Sequence, residues 1–409
     1  LSRTILRALA DSYVNAELIV KGDFENPRLY FDDNKLTEDK SSGNESLLTF
    51  GSVMSKYIND KRGGWSEKRY EAQVSKLNYF LAYAQEIDEL SGEIRTLDST
   101  SSSDARNYKE HLQGVPTNAT KLFPDHSPRE TVRKAQEQDL NILSLTTQNN
   151  YLQVLSSLYS FATKELDYEG KNPFEGRAET KAAGKLQRDQ RDPFSQKQLE
   201  TLFSSPLYTG CKTLPSCHLP GSLIPNNSHK YWTPLIALLT GMRMQEILQL
   251  HLEDIYQKEG IWVLDLNTNH HDKRLKSPQS KRLVPLHKKL VELGFLKFVE
   301  DKRAASNSPR LFNDAKLANG NTYSSTFSKW FSRHLEKLGI KTDKTSFHSL
   351  RHNLRDSFRE AGESDELAEN FMGRSTGSTG EAYGSGFSIK KQHQAINKIK
   401  FNQIIIRDS

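Results

Sequence analysis

The chain has 409 residues, with 57 Lys and Arg against 51 Asp and Glu, a formal charge of +6, and only 35% hydrophobic residues. No apolar run approaches the roughly 18–20 residues that a membrane span needs, and Leu1-Ser2-Arg3 opens no signal-peptide core, so neither a spanning nor a secreted protein is expected. Two cysteines, Cys211 and Cys217, cannot build a disulfide framework, which points to a soluble protein of a reducing, intracellular compartment. Residue 1 is not Met, which leaves open that the chain is a fragment.

Charge is unevenly distributed. Residues 1–190 hold 25 basic and 29 acidic side chains, a net of −4, whereas residues 191–409 hold 32 and 22, a net of +10. Such a surplus supplies the sequence-independent part of phosphate-backbone binding, although a solvated surface has the same composition.

In chain order, residues 1–44 mix helix-like and turn-like stretches and read as an N-terminal extension. Phe50, Val53, Met54, Tyr57 and Ile58 then recur at spacings of three and four, and Tyr70, Val74, Leu77, Phe80 and Leu81 do the same, which predicts two amphipathic helices. The run Ser99 to Asp104 reads as a loop ending in a helix cap, and Pro116 to Pro128 as irregular. Leu145-Thr146-Thr147 caps a helix whose stripe is Leu152, Leu155, Leu158, Tyr159 and Ala162, and Asn172-Pro173 stops it. Polar, basic residues 177–192 read as a linker. Asp192-Pro193-Phe194-Ser195 starts another helix, Gly210 to Asn227 looks like an insertion, and helical periodicity resumes at Trp232. Ile261–Leu266 and Arg282–Leu286 read as strands around a basic loop from Asn269 to Ser280. Ser324 to Leu338, the stretch from Leu350, and residues 388–400 are helical in pattern, and Phe401 to Ile406 is a β-branched strand candidate.

Four separated elements carry chemistry. In Leu239-Thr240-Gly241-Met242-Arg243-Met244-Gln245-Glu246, Gly241 permits a turn and Arg243 opens a helix with Glu246 one turn on. The loop Lys273-Arg274-Leu275-Lys276-Ser277-Pro278, followed by Ser280-Lys281-Arg282-Leu283-Val284-Pro285-Leu286, presents a lysine that can donate a proton to a leaving oxygen. His348-Ser349-Leu350-Arg351-His352 puts an imidazole and a guanidinium on one helical face, the latter suited to two nonbridging phosphate oxygens. Lastly, Phe371-Met372-Gly373-Arg374 leads through small residues to Tyr383. Taken singly, each element also fits an ordinary surface.

In this order and at these intervals, with 23 residues from Arg351 to Arg374 and nine from Arg374 to Tyr383, the motifs resemble those of the tyrosine recombinase (phage integrase) family. The resemblance extends over roughly residues 45–400. It implies a mainly α fold with a small β component: a helical core-binding (SAM-like) DNA-binding domain over 45–176, a linker over 177–192, an α+β catalytic domain over 193–387 and a tail over 388–409, together forming a C-shaped clamp on DNA. It further implies a site-specific recombinase or integrase that cuts and rejoins DNA through a 3′-phosphotyrosine, for integration or excision of a mobile element. Tyr383 would be the nucleophile, Arg243 and Arg351 would stabilise the phosphorane, Lys276 would protonate the 5′-oxygen, His348 would assist proton transfer, and Glu246 would buttress Arg243. Arg374 departs from the family, which usually has His or Trp there. A guanidinium can donate a hydrogen bond to phosphate but cannot shuttle a proton.

The implied partners are double-stranded DNA core sites, a homotetramer in the synaptic complex with monomer or dimer off DNA, and an accessory directionality factor. No cofactor, metal or membrane is expected, and the implied location is the bacterial cytoplasm, nucleoid-associated through DNA. A type IB topoisomerase-like enzyme and a catalytically impaired DNA-binding relative are the alternatives, the latter suggested only by Arg374. Cys211, Cys217, His218 and His229 lack the paired spacing of an ordinary zinc site, His270-His271 is expected to be exposed or DNA-facing, and Trp232 and Trp330 are expected in the core.

Overall fold

The computed structural model describes residues 48–92, 94–179, 191–277, 280–305, 308–317, 322–374, 386–402 and 404. The N-terminal extension, most of the basic linker and Tyr383 lie outside these residues.

Buried apolar side chains form two separate clusters, one from residues 50–174 and one from residues 194–404. The first is all helical: α1 Phe50–Arg62, α2 Glu67–Asp88, α3 Ser102–Leu112, α4 Ala119–Leu122, α5 Pro128–Glu137 and α6 Leu145–Glu165. Serine or threonine caps start most of these helices. Thr49, Ser66, Ser127 and Ser144 each accept a backbone N–H of the first turn, and Ser101 forms a reciprocal capping box with Asp104. Each such cap contributes about 1 kcal/mol. The cap of α6 is therefore Ser144, with Leu145-Thr146-Thr147 forming the first turn. Beyond Leu152 its buried residues come in adjacent pairs, at 154/155, 158/159 and 161/162, and this widened stripe lets α6 pack against α1, α2 and α3 at once. The stretch read as irregular contains the single turn α4, and Pro128 is not a breaker but the first residue of α5, where its missing N–H costs nothing. Past α6, Phe174 is 1% exposed and meets Phe80 edge-on at 5.3 Å, closing the bundle.

The second cluster is built from α7 Gln196–Phe203, α8 Pro206–Thr209, α9 His229–Thr240, α10 Met244–Leu248, α11 Lys288–Glu292, α12 Phe295–Ala305, α13 Ser324–Lys337, α14 Phe347–Glu360, α15 Asp365–Met372 and α16 Ile389–Lys398. Helix α9 is buried on every side from Tyr231 to Thr240, so it is the central helix and packs along α14. A three-stranded antiparallel sheet, β1 Ile255–Lys258, β2 Ile261–Leu266 and β3 Arg282–Pro285, lies in the order β1-β2-β3 with Ile255 opposite Leu264 and Val263 opposite Pro285. Strand β1 was not foreseen: its Tyr256-Gln257-Lys258 is polar because it forms a sheet edge. The turn that makes it, Glu259-Gly260, has φ of 53° and 75°, the geometry of a two-residue hairpin.

The insertion-like stretch folds back on itself, with Cys211 and Leu223 exchanging backbone hydrogen bonds of 2.7 and 3.0 Å. Both cysteines are buried, and Cys217 Sγ lies 3.7 Å from His334 Nδ1. The strand expected at Phe401 to Ile406 is not formed at residues 401, 402 and 404. Phe401 and Ile404 instead join Ala395, Ile396 and Ile399 in the core of their own domain, with Phe401 edge-on to His287 at 5.2 Å; Gln403, Ile405 and Ile406 lie outside the described residues. Burying these apolar side chains locally removes the drive to pair as an exposed strand. No helix among the described residues is long and apolar enough to cross a membrane.

Candidate active site

The site gathers at the C-terminal end of α9. Gly241 ends that helix with φ +62°, and a Cβ there would come within 2.8 Å of Leu354 and 2.9 Å of Met372, so both backbone angle and space require glycine. This sharp exit aims the Gly241 carbonyl at Arg351. On α14, Arg351 is 1% exposed; one terminal nitrogen donates to Gly241 O and the other to Met372 O at 2.6 Å. Its Nε is buried without a partner. Gly373, at φ +63°, plays the matching part at the end of α15. Its carbonyl accepts Arg243 Nη2 at 3.3 Å, and a Cβ would lie 2.6 Å from Arg282.

Arg243 is the residue just before α10. Its backbone N–H donates to Glu246 Oε2 at 2.9 Å, its Nη1 donates to Glu246 Oε1 at 2.7 Å, and the same nitrogen reaches Ser280 Oγ at 3.2 Å. Glu246, 2% exposed, also pairs with Arg282 at 3.2 Å. Burial alone would raise the Glu246 carboxyl, but Arg282 and Arg243 outweigh it and hold the group below its ordinary value. Arg282 is further held by the carbonyls of Phe371 at 2.9 Å and Ser280 at 3.0 Å. Arg374 lies 3.7 Å from Glu369 Oε2, whose other oxygen pairs with Arg355 at 2.7 Å.

Four guanidiniums, from Arg243, Arg282, Arg355 and Arg374, thus pair with two carboxylates, Glu246 and Glu369, and a fifth, from Arg351, is bonded among the described residues only to carbonyls. Burial, followed by Arg282, Arg374 and Arg243, pushes the Arg351 guanidinium well below its usual range. A half-buried His348 sits one turn before Arg351 with its ring perpendicular to His352 at 5.2 Å. Burial, then the charges of Arg351, His352 and Arg374, lowers the His348 imidazole to about 3. It is neutral at physiological pH, and in the free protein burial and the neighbouring cations disfavour its protonation. Lys276 is exposed on the β2–β3 loop and lines a cavity of about 710 Å³ with Arg243, Glu246 and Arg274.

The described site residues expected from sequence, Arg243, Glu246, Lys276, His348, Arg351 and Arg374, therefore come from distant segments to one cationic region. Tyr383 lies outside the described residues. Sequence reasoning missed Glu369 and Arg355, whose pairing spans α14 and α15 and leaves no local trace, and the buttressing role of Arg282, which was visible only as part of a motif. Among the described residues no group of three or more His, Cys, Asp or Glu could hold a metal. Cys217 neighbours His334, whereas His229 Nδ1 donates to Asp314 Oδ2 at 2.7 Å. His270 is half-buried, paired with Glu253 at 2.5 Å and stacked on His251 at 4.3 Å, while His271 is exposed.

No curated protein sequence matches the chain. Among solved structures, the Tn1549 transposon integrase in complex with transposon right-end DNA is similar at a TM-score of 0.51 and 17% identity, over 85% of this chain and 98% of that one. The same integrase with a circular-intermediate DNA gives 0.51 and 16%, over 86% and 100%. A lambda integrase dimer bound to a COC′ core site gives 0.49 and 12%, over 84% and 100%. At these identities the likeness to the Tn1549 enzyme is one of fold. The Phage integrase family model matches residues 223–385, which span all four motifs, so this segment of the chain is similar to the phage integrase family.

Proposed function

We propose that the protein is a site-specific DNA recombinase of a mobile element, cutting and rejoining duplex DNA through a covalent phosphotyrosine. The observation that carries this reading is the buried Arg351, pinned by two carbonyls inside an excess of cations, beside a neutral imidazole and an exposed lysine. Such a site is complementary to a phosphodiester whose nonbridging oxygens gain charge in the transition state.

In the proposed step, the Tyr383 oxygen attacks the scissile phosphorus and its proton passes to His348, whose basicity rises as the bound phosphate offsets the charges of Arg351 and Arg374. Arg243, Arg351 and Arg374 hold the nonbridging oxygens. The bond to the 5′-oxygen breaks as Lys276 supplies a proton, leaving a 3′-phosphotyrosine and a free 5′-hydroxyl. A 5′-hydroxyl from a partner strand then attacks the phosphotyrosine, and the same groups act in reverse. Phosphodiester energy is conserved, so the exchange needs no nucleotide hydrolysis.

The proposed organisation is a helical DNA-binding domain and a catalytic domain acting on double-stranded core sites, assembled as a tetramer in the synaptic complex and helped by a directionality factor. The test is product analysis with supercoiled plasmids carrying one or two junction sites from the parent element. Recombinant products that require two sites are expected. Relaxation of the one-site plasmid at equal efficiency, without recombinants, would place the protein with the type IB topoisomerases instead.

A further inference from the structure

We infer that Lys273, with Asp254 and Asn267, is a positioning clamp that sets where Lys276 stands, so that two lysines of one loop have opposite roles. The inference rests on the proposed role of Lys276 as proton donor. Lys273 is 5% exposed, and its Nζ donates to Asp254 Oδ1 and Asn267 Oδ1, each at 2.6 Å. Asn267 Nδ2 closes the triangle on Asp254 Oδ1 at 2.9 Å, and Asp254 Oδ2 accepts the His251 backbone N–H at 2.7 Å. A satisfied ion pair buried to this depth loses one partner only at great cost, so Lys273 cannot swing out to reach a substrate.

Other described residues of the loop are tied down around this anchor. The Arg274 N–H donates to Gln249 Oε1 at 3.0 Å. Beyond Lys276, the Ser280 N–H donates to Ser277 O at 3.0 Å, and Ser280 Oγ accepts from Arg243 at 3.2 Å. Lys276 stands between the two anchors. Three residues of extended chain span at most about 10–11 Å, so the Lys273 clamp confines the Lys276 backbone to that radius and the Ser280 contact turns it toward Arg243. Lys276 itself is exposed, with no ion pair or hydrogen bond among the described residues. The geometry is that of a tethered, exposed donor whose reach is set by a buried residue of the same loop.

The test uses the full chain and single-turnover cleavage of a suicide duplex bearing the element's junction site. One substrate keeps the natural 5′-oxygen at the scissile phosphate, and the other has sulfur in that bridging position. A thiolate, with a thiol pKa near ~8.5, leaves without a proton, whereas an alkoxide does not. Lys276→Ala should therefore be slow on the oxygen substrate and nearly normal on the sulfur one. The charge-balanced pair Lys273→Met with Asp254→Asn should repeat that pattern, at least tenfold slower with oxygen and within threefold of the parent with sulfur. Equal loss on both substrates, or no loss on either, would overturn the clamp. Should the pair fail to fold, Asn267→Ala decides the question, since it removes one acceptor without baring a charge: a defect of threefold or more confined to oxygen supports the clamp, and any other pattern overturns it. If Lys276→Ala itself is equally slow on both substrates, the proton-donor reading fails, an outcome distinct from failure of the clamp.

Discussion

Glu246→Gln is the perturbation that most sharply probes how the cationic site is held together. The side chain is 3% exposed and pairs with Arg243 at 2.7 Å and Arg282 at 3.2 Å. Removing one partner of a buried ion pair costs about 3–5 kcal/mol. Glutamine still offers an oxygen to the Arg243 N–H, which argues for the lower end, about 3 kcal/mol. At about 2–4 °C per kcal/mol for a domain of this size, the midpoint of thermal unfolding should fall by about 6–12 °C. Because the folded-state Glu246 value is depressed from 4.5, its contribution is fully present above pH 4.5 and is lost as pH falls through the lower folded value. The gap between parent and variant should then be constant above about pH 5 and close at more acid pH. Phosphate or DNA should recover part of the loss, since an anion shares the same guanidiniums. Scanning calorimetry at pH 7 and below pH 4, with and without phosphate, reads all three effects. A midpoint within 2 °C of the parent at pH 7 would refute the claim that this carboxylate holds the arginines.

Arg351→Lys should lower single-turnover cleavage by about 10²-fold or more, because lysine cannot reach both carbonyls and a phosphate with one fixed fork, while gel-shift affinity stays within a few fold; a large loss of affinity with normal cleavage of the bound complex would mark it as an anchor. Arg374→His should retain activity and Arg374→Ala should lose it about tenfold or more, as expected for a required hydrogen-bond donor; equality of Ala and Arg in the same assay would remove that role. With His348 lowered to about 3 in the free protein, kcat/KM should show no acid limb centred near pH 6.5; an inflection there that vanishes in His348→Gln would contradict the burial assigned to the ring.

Much of the site was legible because its chemistry is written in short local strings. Arg243 and Glu246 lie one turn apart just after Gly241, and His348 and Arg351 share a helix face, so spacing alone pairs them. What joins the strings is tertiary. Arg351 is held by the carbonyls of Gly241 and Met372, 110 and 21 residues away, and nothing in composition announces that the ends of α9 and α15 meet there. The long amphipathic helices were readable from their stripes, whereas β1 was not, since an edge strand of four residues exposes too much to alternate cleanly. The C-terminal segment misled for the opposite reason. Its β-branched pattern suits a strand, but Phe401 and Ile404 find a local apolar surface, and burial there overrides propensity. Of the loop lysines, sequence marked Lys276 by its place in a motif, yet only the structure shows that Lys273 is internal.

The central claim is tested most directly by trapping the protein on a nicked suicide duplex carrying its junction site, digesting the adduct, and mapping the modified residue by mass spectrometry. A 3′-phosphotyrosine at Tyr383, absent in Tyr383→Phe, is the expected result. An adduct that persists in Tyr383→Phe, or cleavage with no covalent protein–DNA species at all, would contradict it.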